Sequence, residues 1–375
     1  MGQSPPSSTY NEHGEGLPFY QGKADFRLIH PIPRKWCSQP LKIAIENDVL
    51  ISVRAPVGPA NICPEKSCIG RGLAAIRAKN EVDCRFIFFC LRSKERELAE
   101  LGKGSTFGAI KRDELRELAV PLPPLPEQRR IVARIEELVS RIEEAKRLRR
   151  AAREETEAIM PAALHDVFSQ AEAKGWRKVR LVEIVEEIRS GFACGKQHAV
   201  TEGIPHLRTN NIGIDGELDL SHLIYMPDYM VDLATYSLKK EDVLFNNTNS
   251  AELVGKTAII REDLPFAFSN HLTRIRTKRK LIEPKWLVLN LRCLWYQRFF
   301  EKRCRRWIGQ AGFSPTRLKE VEIFIPPLSE QRRIVTHLDR LQTKVEELRR
   351  LEEETEREIE AMTSAILDKA FQGGL

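Results

Sequence analysis

The sequence predicts an α+β protein, with two α/β domains separated by an antiparallel coiled coil of two long helices and an internal pseudo-twofold repeat. Three observations carry that expectation. The stretch "PPLPEQRRIV" at Pro123 returns as "PPLSEQRRIV" at Pro326, each copy opens into heptads, and each follows a loop-rich region of mixed character.

The repeat fixes the organisation. Sliding the chain by 203 positions lays Pro123–Phe168 on Pro326–Phe371 without a gap and matches 20 of 46 residues. Upstream, "NDVL" at Asn47 answers "EDVL" at Glu241, and "GLAAIRAK" at Gly72 answers "HLTRIRTK" at His271. The offset grows from 194 to 199 to 203, as loop insertions in one copy would cause. One unit is therefore written twice, a variable domain followed by a constant segment. The implied boundaries are 1–121 and 176–324 for the variable domains, with 122–175 and 325–375 as helical spacers.

Within the variable regions, short apolar runs such as "KIAIENDVLISV" and "EDVLF" alternate with Gly, Pro and Asn clusters. That pattern is expected of α+β domains with many loops. Proline-rich "PLPPLP" and "IPPL" stop the last strands and deliver the chain to the helix starts.

In the first constant segment a 4-3 spacing links Ile131, Ile135, Leu138, Ile142, Ala145, Arg149, Ala152, Thr156 and Ile159. In the second it links Ile334, Leu338, Leu341, Val345, Leu348, Glu352, Thr355, Ile359 and Met362. An a/d seam of this length predicts a coiled coil. Pro161 is expected to end or kink the first helix. From Arg141 to Glu155 there are six basic and four acidic residues, and from Glu346 to Glu360 three basic and eight acidic, so the helices should pair with each other. Arg149 and Glu352 then either meet near the middle and help to fix register, or both reach out to solvent.

Bulk properties narrow the function. The 375 residues are 42% hydrophobic and 30% charged, with no apolar run near the ~18 residues of a membrane span. No secretory signal pattern opens the chain, so the cytoplasm is the expected location. Eight cysteines are scattered without metal spacing, and Cys63 with Cys68 has no second pair to complete a zinc site. The net charge of +7 is modest, but between His271 and Lys319 there are 14 Lys or Arg against 2 Glu, interleaved with aromatics. Such a stretch is the footprint of a polyanion-binding surface.

Catalytic signatures are missing. "SAELVGKT" from Ser250 lacks the first glycine of a phosphate-binding loop, and "GKGSTFG" from Gly102 has the wrong spacing for a dinucleotide fingerprint. No Asn-Pro-Pro, His-Glu-x-x-His or Gly-x-Ser-x-Gly motif occurs. No catalytic residue and no metal ligand is expected.

With the duplicated "EQRRIV" openings, the heptads behind them and stretches such as "NDVLISVRAPVG", "GSTFGAIKRDEL", "GIPHLRTNNI" and "GQAGFSPTRLKEVEIFIPPLSEQ", the chain resembles the specificity subunit of Type I restriction-modification systems. The resemblance implies two target-recognition domains, each reading one half of a bipartite site in double-stranded DNA, on an antiparallel helix pair. It implies that this chain is a non-catalytic subunit binding no cofactor, docked by two methyltransferase subunits that carry S-adenosylmethionine, with endonuclease subunits joining the full complex. A helix of about 30 residues rises ~45 Å, comparable to the ~34 Å between half-sites one turn apart. Arg and Asn suit bidentate contact with guanine and adenine edges, while Lys and backbone amides hold phosphates. The candidate contacts are Arg34, Lys103, Ser105, Thr106, Lys111 and Arg112 in the first domain. In the second they are Lys196, Arg208, Asn210, Asn211, Asn247, Asn249, Arg305, Arg306 and Arg317. Aligning Gly2 with Gly191 leaves Trp176–Arg189 without a counterpart in the first copy, so the first copy as given starts late: its start is misassigned, the sequence is trimmed, or the first domain is an incomplete reader. The rival expectation is a non-catalytic DNA-binding regulator or antirestriction protein on the same repeat.

Overall fold

The structure, a computed structural model, describes residues 1–103 and 108–371. The chain divides into two units, Met1–Ala151 with Glu352–Leu375, and Ala152–Leu351. Each unit therefore holds one globular domain, the half-helix that leaves it, and the half-helix that ends the other copy.

Both domains use the same strand frame. In the first, Val49–Ser52 lies between Ala60–Ile62 and Leu73–Ile76, all antiparallel. In the second, Val243–Asn246 lies between Thr257–Ile259 and Leu272–Thr277. A second sheet in each domain contains a short parallel pair: Leu17–Tyr20 with Ser67–Ile69, and Ile204–Leu207 with Ala267–Phe268. The matched "NDVL" and "EDVL" stretches show how sequence builds this frame. Asn47 and Glu241 take φ of 67° and 74°, turning the chain into the central strand. The next residue, Asp48 or Asp242, is buried and holds an arginine from the partner strand. Arg77 reaches Asp48 with two bonds of 2.8 Å, and Arg276 reaches Asp242 with bonds of 2.8 and 3.1 Å.

The glycine alignment holds. Gly2 N–H donates to Leu73 O at 2.8 Å and Gly191 N–H to Leu272 O at 3.1 Å, and a Cβ on either would collide with backbone oxygen at 2.2 and 1.9 Å. In the second copy, Arg177–Arg180 pairs with Glu322–Ile325, and Val185–Ser190 pairs with Leu272–Thr277. Among the described residues, Leu73–Ile76 in the first domain has only the Val49–Ser52 partner within its sheet.

The constant segments form helices Leu125–Ser169 and Leu328–Phe371. They run antiparallel within each unit, since the start of one shares a core with the end of the other. In the first unit Ile131 and Ile135 cluster with Leu367, Ala370 and the domain residues Phe86 and Phe89. In the second, Ile334 and Leu338 cluster with Leu164, Phe168, Trp286 and Leu287. The repeat even preserves the closing aromatic: Phe371 meets Phe86 at 5.2 Å, and its counterpart Phe168 meets Trp286 at 5.2 Å. Of the expected seam, Ile135, Ile142, Leu338 and Val345 are buried, and Leu138 and Leu341 are half-buried.

Two expectations about the helices change. Pro161 does not end the first helix, which continues to Ser169, because Met160, Leu164 and Phe168 are all buried beyond or beside it. Packing of that kind outweighs the ~3 kcal/mol an interior proline withdraws. Leu348 and Met362 are 43% and 50% exposed, so the apolar stripe is wider than the buried seam. Arg149 and Glu352 are both half-buried, but the Arg149 Nη2 is buried with no hydrogen-bond partner.

One residue the sequence did not single out joins each domain to its helix. Gln128 Oε1 accepts from the Asp83 N–H (2.9 Å), and its Nε2 donates to the carbonyls of Glu81 (3.1 Å) and Pro123 (2.8 Å). Gln331 repeats this with the Glu283 N–H (2.9 Å) and the carbonyls of Leu281 (3.1 Å) and Pro326 (2.8 Å). Both side chains are fully buried, so each bond lost leaves a dry backbone group at about 1–3 kcal/mol. Gln331→Met should therefore destabilise the second unit by about 2–4 kcal/mol in urea unfolding followed by tryptophan fluorescence. A loss below about 0.5 kcal/mol, the range of ordinary surface changes, would refute the clamp.

Candidate nucleic-acid interface

In the second unit a cleft of about 430 Å³ opens between the domain frame and a projecting hairpin. Asn247, Thr248, Asn270, Arg305, Trp307 and Arg317 are among its lining residues. The hairpin strand Gln310–Gly312 pairs with Thr248–Asn249, which continues directly from the central strand. The buried frame thus holds one wall of the cleft. Arg317 is fixed on the other, its guanidinium over the Phe313 ring at 5.2 Å and donating to Arg303 O.

The predicted contacts divide sharply here. Arg305, Arg306 and Arg317 are exposed at or beside the cleft, Asn210 is exposed on the 209–211 turn, and half-buried Asn249 caps the Ser250 N–H at 2.8 Å. Asn211 and Asn247 are corrections. Asn211 accepts from the Arg208 N–H (2.8 Å) and donates to Asp219 O (2.8 Å), while Asn247 donates to Asn270 O (3.0 Å) and Thr273 Oγ1 (2.8 Å) and accepts from Thr248 Oγ1 (2.7 Å). Both are buried with these groups spent on the fold, so neither has a free bidentate edge. Arg208 is half-buried at the start of the turn with its Nε buried and unpartnered. Lys196 begins the turn Lys196–His198.

Beneath this loop lies the lysine of the "VGKT" stretch. Lys256 is buried and its Nζ donates to Ile212 O and to Thr209 O at 3.4 Å, so it holds the 208–212 loop from below. Burial pushes its pKa down. On the strand Ile204–Leu207 that leads into this loop, His206 is buried against Phe192 at 4.9 Å. Burial first, and then the Arg208 charge, lower its pKa to about 4.

The first unit has a cleft of about 440 Å³ lined by Gln21, Lys23, Ser52, Arg54, Arg71 and neighbours. The offsets that match Asn47 to Glu241 and Gly72 to His271 carry Arg54 onto Thr248 and Arg71 onto Asn270. The two clefts therefore sit at the same point of the repeated frame. Among the described residues, Arg34, Lys111 and Arg112 do not line this one. Arg34 donates to buried Asp25 at 3.0 Å, and Lys111 and Arg112 are exposed at the start of the helix Arg112–Arg116. Lys103 ends the helix Glu95–Lys103, and Ser105 and Thr106 lie outside the described residues. Lys23, Arg54 and Arg71 are exposed and were missed, although the repeat itself points to Arg54 and Arg71.

Two copies of one frame, each opening an unlike cleft bordered by Arg and amide groups, define a two-headed sequence reader. The chain belongs to the Type I restriction modification DNA specificity family, whose domain model matches residues 37–150 and 173–360. It is similar to the type I restriction enzyme MjaX specificity subunit of Methanocaldococcus jannaschii, 50% identical over 144 residues that span 38% of this chain and 34% of that one. The HsdS subunit of Thermoanaerobacter tengcongensis superposes with a TM-score of 0.63 at 28% identity, covering 98% of this chain and 91% of that one. A chain from a type I R-M system solved for its complex assembly and conformational transition gives a TM-score of 0.77 at 27% identity, covering 98% and 92%. No helix among the described residues is long and apolar enough to cross a membrane.

His206 provides a pH test of this domain. Its folded pKa of about 4 lies below the ordinary 6.5, so as pH falls from 6.5 to 4 the unfolded chain takes up a proton that the fold refuses. Stability is complete above that window and falls within it by up to about 3 kcal/mol. His206→Phe should flatten the drop in melting temperature between pH 7 and pH 4.5, and an unchanged slope would show that His206 is not its source.

Proposed function

We propose that this chain gives a Type I restriction-modification complex its DNA address, each unit reading one half of a bipartite, asymmetric site. The supporting observation is the pair of equivalent clefts with different linings: Lys23, Arg54 and Arg71 in one, Thr248, Asn270, Arg305, Trp307 and Arg317 in the other. A conserved frame with divergent cleft residues suits two unlike half-sites read by one mechanism. The helices dock two methyltransferase subunits, which carry S-adenosylmethionine and do the chemistry, and endonuclease subunits join that core. Exposed Leu148 and Met362 in the first unit, and Leu348 and Leu351 in the second, offer those partners apolar contact along the helices. The chain itself binds no cofactor and works in the cytoplasm, where its DNA is.

Long-read sequencing of cells carrying this gene with its methyltransferase should reveal a bipartite methylated motif that disappears when this chain is deleted. Loss of no motif would refute the assignment and favour a DNA-binding regulator. In the purified complex, Arg54→Ala and Arg305→Ala should each lower the slope of log affinity against log salt by about one. Unchanged slopes would place the phosphate contacts outside the clefts.

A further inference from the structure

The hairpin beside the second cleft has a feature that phosphate binding does not require. Arg305–Trp307 and Gln310–Gly312 pair in the register Arg305↔Gly312, Arg306↔Ala311 and Trp307↔Gln310, leaving Ile308 and Gly309 as the two-residue turn. Gly309 takes a φ of +75°, which glycine alone adopts freely, and Ile308 stands at the corner with 102% relative exposure. Turn corners select Gly, Asn, Asp and Ser, each for a backbone reason, and a β-branched aliphatic supplies none of them. A local rule broken at an exposed tip points to a role outside the fold.

The base of this hairpin is firm. Ala311 and Phe313 are buried, Phe313 meets Phe300 at 5.2 Å, and Thr248–Asn249 pairs along the inner strand. Its outer strand is exposed at all three residues, and the Trp307 Nε1 donates to Gln310 Oε1 at 3.3 Å across the ribbon. The result is a rigid two-stranded ribbon with arginines on its flank and an apolar point.

A two-stranded ribbon fits the DNA major groove, about 12 Å wide, where the apolar group on the base edges is the thymine methyl. Resting on the DNA-reading assignment above, we propose that Ile308 is a specificity-determining residue for the second half-site, packing on a thymine methyl while Arg305 and Arg306 hold the flanking phosphates. Its contribution is read as sequence discrimination without salt dependence, since no counterion is released by an apolar contact.

The test uses the full complex with its methyltransferase subunits and a duplex carrying the mapped motif. Each thymine of the motif is replaced in turn by deoxyuridine, which removes only the methyl group. One replacement, in one half-site, should weaken wild type about fourfold, the effect of one buried methyl. It should leave Ile308→Ser unaffected. That variant should melt like wild type and keep its salt slope, while binding the parent duplex more weakly, and Ile308→Val should restore most of the affinity. If Ile308→Ser matches wild type on every duplex, or no replacement couples to it, the proposal falls. Loss of methyltransferase assembly with DNA binding intact would assign the tip to a protein partner and overturn it equally. Absence of any bipartite motif with wild type would instead remove the DNA-reading assignment, a separate failure.

Discussion

Two buried amides, Gln128 and Gln331, set the relation between reading domain and helix on which the remaining structure of each unit depends. Each bonds three backbone groups: two in the turn before a domain helix, and one in the proline stretch that leads to the long helix. The domain cannot tilt on the helix start without breaking bonds that water is not there to replace. A charge pair repeats the same geometry outside the clamp, with Arg85 on Glu136 at 2.7 Å and Lys285 on Asp339 at 2.6 Å. These pairs are partly exposed and contribute little beside the amide.

The far end of each unit is closed differently. Phe371 and Phe168 carry the last turns of the helices into the cores of domains they do not follow in sequence. Each domain is therefore held by both helices, one through a hydrogen-bonded start and one through an aromatic end. The many Arg–Glu pairs along the helix surfaces, such as Arg134–Glu137 and Arg147–Glu144, add only a few tenths of a kcal/mol each. The strong constraints are the buried ones, and they are the ones the repeat preserves.

Much of this frame was legible in the sequence because its signals are local. A heptad seam and an uninterrupted 46-residue match require no knowledge of tertiary contacts. The site was less legible because side-chain chemistry does not reveal burial. Asn211 and Asn247 suit a base edge, but the fold uses both to tie loops together. Lys256, in a near-miss for a phosphate loop, turned out to support the neighbouring turn. Gln128 and Gln331 were visible as repeated letters, with nothing nearby in sequence to name their partners in the domain, 45 to 50 residues away. Pro161 shows the opposite limit, a strong local rule overridden by packing that only the fold displays.

The frame and the clefts obey different physics, and that separation explains how one fold serves two addresses. The frame aspartates are buried and paired: Asp48 with exposed Arg77 and Asp242 with half-buried Arg276, so removing either arginine leaves a buried carboxylate without its counter-charge. Cleft positions are exposed at their tips and carry little of the fold's stability, so they are free to differ. The first cleft presents cations at Lys23, Arg54 and Arg71, while the second replaces the last two with Thr248 and Asn270 and adds the hairpin. A lining of cations leans on phosphate attraction, which is strong but blind to sequence. Amide, hydroxyl and apolar groups act on base edges, where discrimination resides.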